Sequence, residues 1–231
     1  MTYETRYKNV LLVGTSHIAE KSIETITQVF NDYRPDIVCV ELDHARLHGL
    51  LTNAKPDYSL SGIKKFGFQG YLFAVIGGLL QKKLGNIAGI KPGSDMLVAV
   101  NLSKINNKEL QLVDQNIEIT LRRFSKTFTF KEKIRLLADI FKAPFTKKVS
   151  FDLRKVPEQK IILALMNQLK ERYPSIYRVL IEERNVVMAK NIYNIMSRNE
   201  GKKIFVVIGA GHEEGLMKLI KQENFKRDRI K

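Results

Sequence analysis

Two short stretches near opposite ends of the chain carry the side chains best suited to chemistry. Residues 14–17 read Gly-Thr-Ser-His and residues 209–212 read Gly-Ala-Gly-His, each closing a run of Val, Leu and Ile. The runs, 10–13 and 204–208, lack polar alternation. That is the pattern of strands buried on both faces, as in a parallel sheet beneath helices. Gly14 and Gly209 are expected to turn the backbone sharply where the strands stop, and the small residues that follow leave room for a ligand. His17 and His212 then lie just past the carboxyl ends of their strands, where open α/β sheets place binding crevices. A third apolar run, 37–40, ends in Glu41 with Asp43 close behind, and a fourth, 110–113, delivers Asp114. Arg46, in a helix expected over 43–51, can pair with Glu41 or Asp43 or face a substrate carboxylate. His44 and His48 have the i, i+4 spacing of a metal-binding pair. No local Glu or Cys completes a zinc motif, so they read as an exposed pair.

The elements that position these groups follow from periodicity. After His17, Ile23, Ile26, Val29 and Phe30 mark one face of a helix that Pro35 breaks, giving a β-α-β unit with a right-handed crossover. Residues 68–84 form an apolar helical segment, expected to pack over the site. Residues 94–105 are helical with Ser94 as N-cap, and 116–124 start a helix carrying Arg122 and Arg123. From 131 to 199 the pattern is helical almost throughout. Its stripes (Ile134, Leu137 and Phe141; Ile161, Ile162, Leu165, Met166 and Leu169; Ile176, Val179, Leu180, Val187, Ile192 and Ile195) are expected to be core. Within the third stripe, Glu182-Glu183-Arg184-Asn185 is a polar interruption of the kind that answers to a site or a buried ion pair. Gly201 is expected to close that helix. The fold class is α/β: a mainly parallel central sheet flanked by helices, with a large helical insertion, about 131–199, before the last core strand, all in one domain over 1–231.

Composition narrows the function. The chain of 231 residues has a formal charge of +15, from 39 basic and 24 acidic residues. Residues 122–155 hold eleven basic against three acidic side chains, and 217–231 hold six against two. Such patches attract phosphate on lipid head groups or nucleic acid. No recognised nucleic-acid module and no aromatic–basic stacking signature accompanies them. The charge therefore predicts only weak, salt-sensitive, sequence-independent binding to DNA or to anionic vesicles. Cys39, the lone cysteine, sits in an apolar run and reads as a small buried hydrophobe. The most apolar window, 71–80, is too short to span a bilayer and is broken by Gly77 and Gly78. No secretory leader is apparent.

With these residues assembled, the chain resembles the TraB family, which shares a superfamily with the TIKI and the erythromycin-esterase and ChaN-like proteins. The matching motifs are GTSH at 14–17, PDIVCVELDHAR at 35–46, KPGSDM at 91–96, TLRR at 120–123, EERN at 182–185 and GAGH at 209–212. The family's marked residues fall on His17, Glu41, Arg46 and His212. Departures are Gln115 and Asn116, where the family often carries Arg and Asp, and Asn185, where it often carries Asp. Relatives often continue into hydrophobic membrane segments, absent here after residue 231. The resemblance thus implies a location on the cytoplasmic side, membrane-associated through such a segment, with the basic surface near lipid.

Two functions are compatible with this resemblance. The first is a metal-dependent, peptidase-like hydrolase, as TIKI relatives are described. His17, Glu41 and His212 would hold Mn, Co or Zn and lower the pKa of a bound water towards ~7. Glu41 would serve as ligand or base, and Arg46, Arg122 and Arg123 would steady an oxyanion or a substrate carboxylate. The second is a non-catalytic module that sequesters a peptide, of the pheromone-shutdown type, clamping a terminus through Arg46 and Glu41. The expected partners are a peptide or protein substrate, a membrane surface and a second copy of the chain, with no specific nucleic acid.

Overall fold

The four apolar runs become neighbouring parallel strands. In the computed structural model, which describes residues 3–15, 20–52, 64, 71, 93–142 and 159–222, β2 (Val10–Thr15) pairs with β5 (Ile204–Gly209), β5 with β3 (Ile37–Val40), and β3 with β4 (Glu109–Leu112). A strand the periodicity did not reveal, β1 (Tyr3–Tyr7), adds antiparallel to β2, so the sheet order is β1-β2-β5-β3-β4. Its sequence, Tyr-Glu-Thr-Arg-Tyr, alternates, with Glu4 and Arg6 exposed. That is the composition of an edge strand, blunted by charge.

Every residue of β2, β3 and β5 is buried, because successive side chains point to opposite faces and each face has its own helical layer. Val10, Leu12, Ile37, Cys39, Ile204, Val206 and Ile208 pack against α8 (Glu183–Arg198) and α9 (Glu213–Gln222). Leu11, Val13, Val38, Val40, Phe205 and Val207 pack against α1 (Glu20–Tyr33) and α3 (Ser94–Ile105). Truncating a fully buried residue such as Leu12 to Ala costs about 2–5 kcal/mol in such a core. Cys39 is a free thiol inside it, and burial pushes that thiol far up from its ordinary range.

The helical insertion runs between β4 and β5 as α4 (Ile117–Thr127), α5 (Phe130–Lys142), α6 (Gln159–Arg172), α7 (Pro174–Tyr177), a π-helical turn (Arg178–Glu182) and α8. Phe124, Tyr173, Ile176 and Val179 form a small core of their own within it. The helix over 43–51 is found as α2 (His44–Thr52).

Several expectations are corrected. Ile134, Leu137 and Leu165, read as core, are 54%, 57% and 44% exposed. In the third stripe Ile192 is fully buried, but Val187 and Ile195 are only half-buried, and Met188 and Ala189, outside the expected stripe, are fully buried instead. The π turn inserts an extra residue between the two halves of the stripe and shifts its phase. Gly93, not Ser94, is the N-cap of α3. α8 ends at Arg198 with Asn199 as C-cap, before Gly201. His17 and, apart from residue 71, the apolar segment 68–84 expected to pack over the site lie outside the described residues. No helix among the described residues is long and apolar enough to cross a membrane.

The register matters for the site. Thr15 lies opposite Gly209, and the Ala210 N–H continues the ladder to the Thr15 carbonyl at 2.7 Å. The opening residues of the two motifs, Gly14 and Thr15 on one side and Gly209 and Ala210 on the other, therefore lie side by side.

Candidate functional site

Glu41 follows the last residue of β3, and its backbone N–H still bonds the Val207 carbonyl at 3.1 Å. The strand therefore fixes its side chain at the carboxyl edge, 2% exposed as a residue. One carboxylate oxygen, Oε2, accepts from the Gly209 N–H at 2.6 Å; the other, Oε1, accepts from Nη2 of Arg184. Oε1 also lies 3.5 Å from Nε2 of His212. Glu41 and His212 thus converge, as the spacing of the two motifs requires.

Between them sits a residue the sequence flagged only as part of a polar cluster. Arg184 lies in the first turn of α8, directly after the π turn. Its Nε and Nη2 form a fork with Asp114, at 3.0 Å to Oδ1 and 2.7 Å to Oδ2. Nη2 also reaches Glu41, while Nη1 donates to the Leu180 carbonyl at 3.2 Å and meets His212 Nε2 at 3.1 Å. A guanidinium has five N–H donors, and these five contacts account for all of them. Burial alone pulls the Arg184 pKa down. The charges and hydrogen bonds of Glu41 and Asp114 outweigh that and hold it above its usual range.

The guanidinium has no acceptor, so His212 Nε2 receives its N–H. The remaining ring proton belongs on Nδ1, which donates to Asn185 Oδ1 at 2.7 Å. His212 is therefore held neutral as the Nδ1–H tautomer, with Nε2 turned towards Glu41 and Arg184. Gly215 permits this. A Cβ there would lie 2.5 Å from Asn185 Nδ2, so any larger residue displaces the amide that orients the ring.

Arg46 joins from α2. It does not pair with Glu41 or Asp43 but donates Nη1 to Asp114 Oδ2 at 2.7 Å. Asp43 is engaged elsewhere: its oxygens accept from the N–H groups of Arg46 at 2.8 Å and Ile117 at 2.7 Å, capping α2 and α4 at once. Arg46 keeps a third of its side chain exposed, whereas Arg184 shows 14% and Asp114 2%. Of the cations in this cluster, Arg46 is the one that faces solvent.

The other expected residues fall differently. Arg122 is exposed on α4. Arg123 forks onto Glu183 at 3.0 and 2.6 Å, one residue before Arg184, without reaching Glu41 or His212 in any contact described. His44 and His48 are exposed, as expected. His17 lies outside the described residues, but Thr15, two positions before it, donates to Asp95 of the KPGSDM stretch. Gly14 is not a turn residue: it lies within β2 without a positive φ. It is small because Glu213 Oε2 and Ala210 Cα lie 2.8 and 3.2 Å from where a Cβ would stand. The family departures have structural work as well. Gln115 donates to Thr120 at 3.0 Å, Asn116 caps α4 by accepting from Glu118 N–H at 2.8 Å, and Asn185 holds His212.

Glu41 Oε1 and His212 Nε2 stand about as far apart as two ligands on one ion at ~2 Å. Both atoms also face Arg184, whose guanidinium supplies a positive charge between them. Among the described residues no group of three His, Cys, Asp or Glu is placed to hold an ion. Of the three residues expected to hold an ion, His17 lies outside the described residues, and the other two, Glu41 and His212, meet Arg184.

Sheet and site together define an α/β protein whose carboxyl edge gathers an acid, an imidazole and a buried arginine from three separate elements. The sequence profile of the TraB/PrgY/gumN family matches residues 3–229, and the chain belongs to that family. It is 34% identical over 220 residues to the uncharacterized protein MJ1365 of Methanocaldococcus jannaschii, covering 93% of this chain and 54% of that one. It is 23% identical over 238 residues to a human TraB domain-containing protein, and 24% identical over 239 to a mouse one, covering 90% of this chain and 62% of each. The chain thus spans little more than half the length of the curated relatives it matches.

Proposed function

We propose that this edge is a hydrolytic site for a peptide-like substrate bearing an anionic group, with His212 as general base and Glu41 as its electrostatic partner. The observation that carries this reading is the convergence of Glu41 Oε1 and His212 Nε2 at 3.5 Å around Arg184. The orientation of His212 supports it. Asn185 holds the Nδ1 proton, so the basic nitrogen is the one turned into the site. In the reaction an attacking water replaces the Arg184 N–H at His212 Nε2, which takes the water's proton, and Glu41 offsets the imidazolium that forms. The same proton then passes to the leaving amine. Arg184, with its donors engaged, holds Glu41 and His212 in place, and Arg46, the exposed cation, meets the developing oxyanion or the substrate carboxylate.

The divalent metal expected from the sequence enters this reading only if Arg184 leaves Glu41 and His212, and no step here depends on it. A second reading, peptide sequestration without cleavage, is favoured by the saturation of Arg184, since a guanidinium with every donor engaged suits a static clamp.

The two separate in one experiment. A panel of peptides with free carboxyl termini is incubated with chelator-treated protein and with protein supplied with Mn²⁺, Co²⁺ or Zn²⁺. Cleavage in chelator that falls on the order of a hundredfold in His212→Ala and Glu41→Gln supports the first reading. Cleavage only with metal replaces the acid–base scheme by the metal one. Binding without cleavage under every condition, lost in Arg46→Ala, establishes sequestration instead.

A further inference from the structure

Helix α5 is mounted with its polar face inward. Glu132, 3% exposed, accepts from the Thr129 N–H at 3.1 Å and hydroxyl at 2.6 Å, and from the Ser175 N–H at 2.8 Å. Asp139 accepts from Arg172 Nε at 2.6 Å and from the Tyr173 hydroxyl. Leu136 packs on the small core of the insertion. At ~100° per residue the opposite side of the helix carries Phe130, Ile134 and Leu137 within about 60° of one another. They are 75%, 54% and 57% exposed. Lys131 and Lys133 flank that stripe on either side. A helix stripe is normally buried because it is apolar; here hydrogen bonds to two acids have fixed the helix the other way round.

We infer that the outer face of α5, Phe130, Ile134 and Leu137 between Lys131 and Lys133, docks on an anionic lipid surface, with the apolar stripe entering the acyl boundary and the lysines at the phosphates. Charge decides the occupant. Residues 122–155 carry eleven basic and three acidic side chains, and two of those acids, Glu132 and Asp139, are held by donors of the protein itself. A second copy would bring the same positive border against itself. The apolar segment of the chain's own residues 53–92 carries six lysines against one aspartate, so it meets the same repulsion. An anionic bilayer satisfies the stripe and the lysines together.

The test is flotation of the full chain with phosphatidylcholine vesicles containing roughly one-third phosphatidylserine, and with phosphatidylcholine alone. The chain floats with the anionic vesicles and not with the neutral ones. The variant Phe130→Ser/Ile134→Ser/Leu137→Ser loses on the order of tenfold in vesicle affinity, with an unchanged melting temperature and an unchanged sedimentation profile. Failure of the parent chain to float overturns the inference. Equal flotation of the variant reduces the interaction to charge alone and overturns it too. A large drop in the variant's melting temperature assigns the stripe to the chain's own core. A dimeric parent that the variant renders monomeric assigns it to a second copy.

Discussion

At the carboxyl edge, Glu41 and Asp114 are nearly buried and meet a guanidinium that is itself 14% exposed on its side chain. On α5, Glu132 meets backbone N–H groups and a hydroxyl, and Asp139 meets Arg172 at the surface, where the two side chains are 27% and 47% exposed. Both places use acids turned inward, but the consequences differ. At the edge each charge depends on its partner, because breaking a buried pair leaves a desolvated charge uncompensated. On α5 the acid is held by dipoles and solvent-screened charge, so it orients a helix without holding the fold hostage.

The sharpest way to break that contrast is Arg184→Met. It takes the guanidinium from buried Glu41 and leaves Asp114 with Arg46, and the expected loss is about 3–5 kcal/mol in urea unfolding. Arg184→Lys should recover little of it, since an ammonium cannot span the fork on Asp114 while also reaching Glu41. Next comes Gly215→Ala. Its Cβ pushes Asn185 off His212, and overpacking costs about 1–3 kcal/mol. Nitrogen NMR of the imidazole should then show the Nδ1–H tautomer giving way to a mixture. If the ring signals do not change, Asn185 does not set the tautomer.

Glu132→Gln probes the other region, with about 1 kcal/mol expected at neutral pH. Burial pushes the Glu132 carboxyl up, and donors on Thr129 and Ser175 outweigh it, so its folded pKa lies below the ordinary value. Its stabilisation is complete above the unfolded pKa of ~4.3 and fades as pH falls through the folded one. The gap between parent and variant, followed by thermal melts, should therefore close in acid. The smallest effect, under about 1 kcal/mol, is expected for Glu213→Gln and has the opposite sign. Burial raises the Glu213 carboxyl despite its bond from Thr5 at 2.6 Å, and neighbouring Glu214 raises it further. Its ionisation costs stability as pH rises through that raised pKa, so the variant should melt higher than the parent at neutral pH and no higher near pH ~4.

The strands were legible because β2, β3 and β5 are unbroken apolar runs, and a run with no polar alternation fits only a sheet covered on both faces. Glu41 and His212 were legible for the same reason, as the first polar groups after such runs. β1 was hidden by its alternation, and Arg184 by its position inside what read as one continuous stripe. An Arg and an Asn breaking an apolar stripe, together with an Asp directly after a parallel strand, were the available signals for Arg184, Asn185 and Asp114. The stripe on α5 misled because periodicity reports that a helix has an apolar side but not which side its hydrogen bonds turn inward. A Thr-x-x-Glu box at 129–132 was the clue that those bonds would be local.

The π turn at Arg178–Glu182 makes the site sensitive to a single codon. Helix α7 and helix α8 form one continuous rod with one surplus residue between them. Removing any one residue of that turn would restore plain α-helical winding and rotate everything on one side of it by ~100° relative to the other. The apolar residues of α8 that pack on the sheet are too many to yield, so the rotation would fall on α7 and the helices before it. Arg184 would keep its acids, while the small core of the insertion, from Val179 back to Tyr173, would turn relative to it. An in-frame loss of three nucleotides would thus reset the helical insertion against the charged centre while leaving the cluster itself intact.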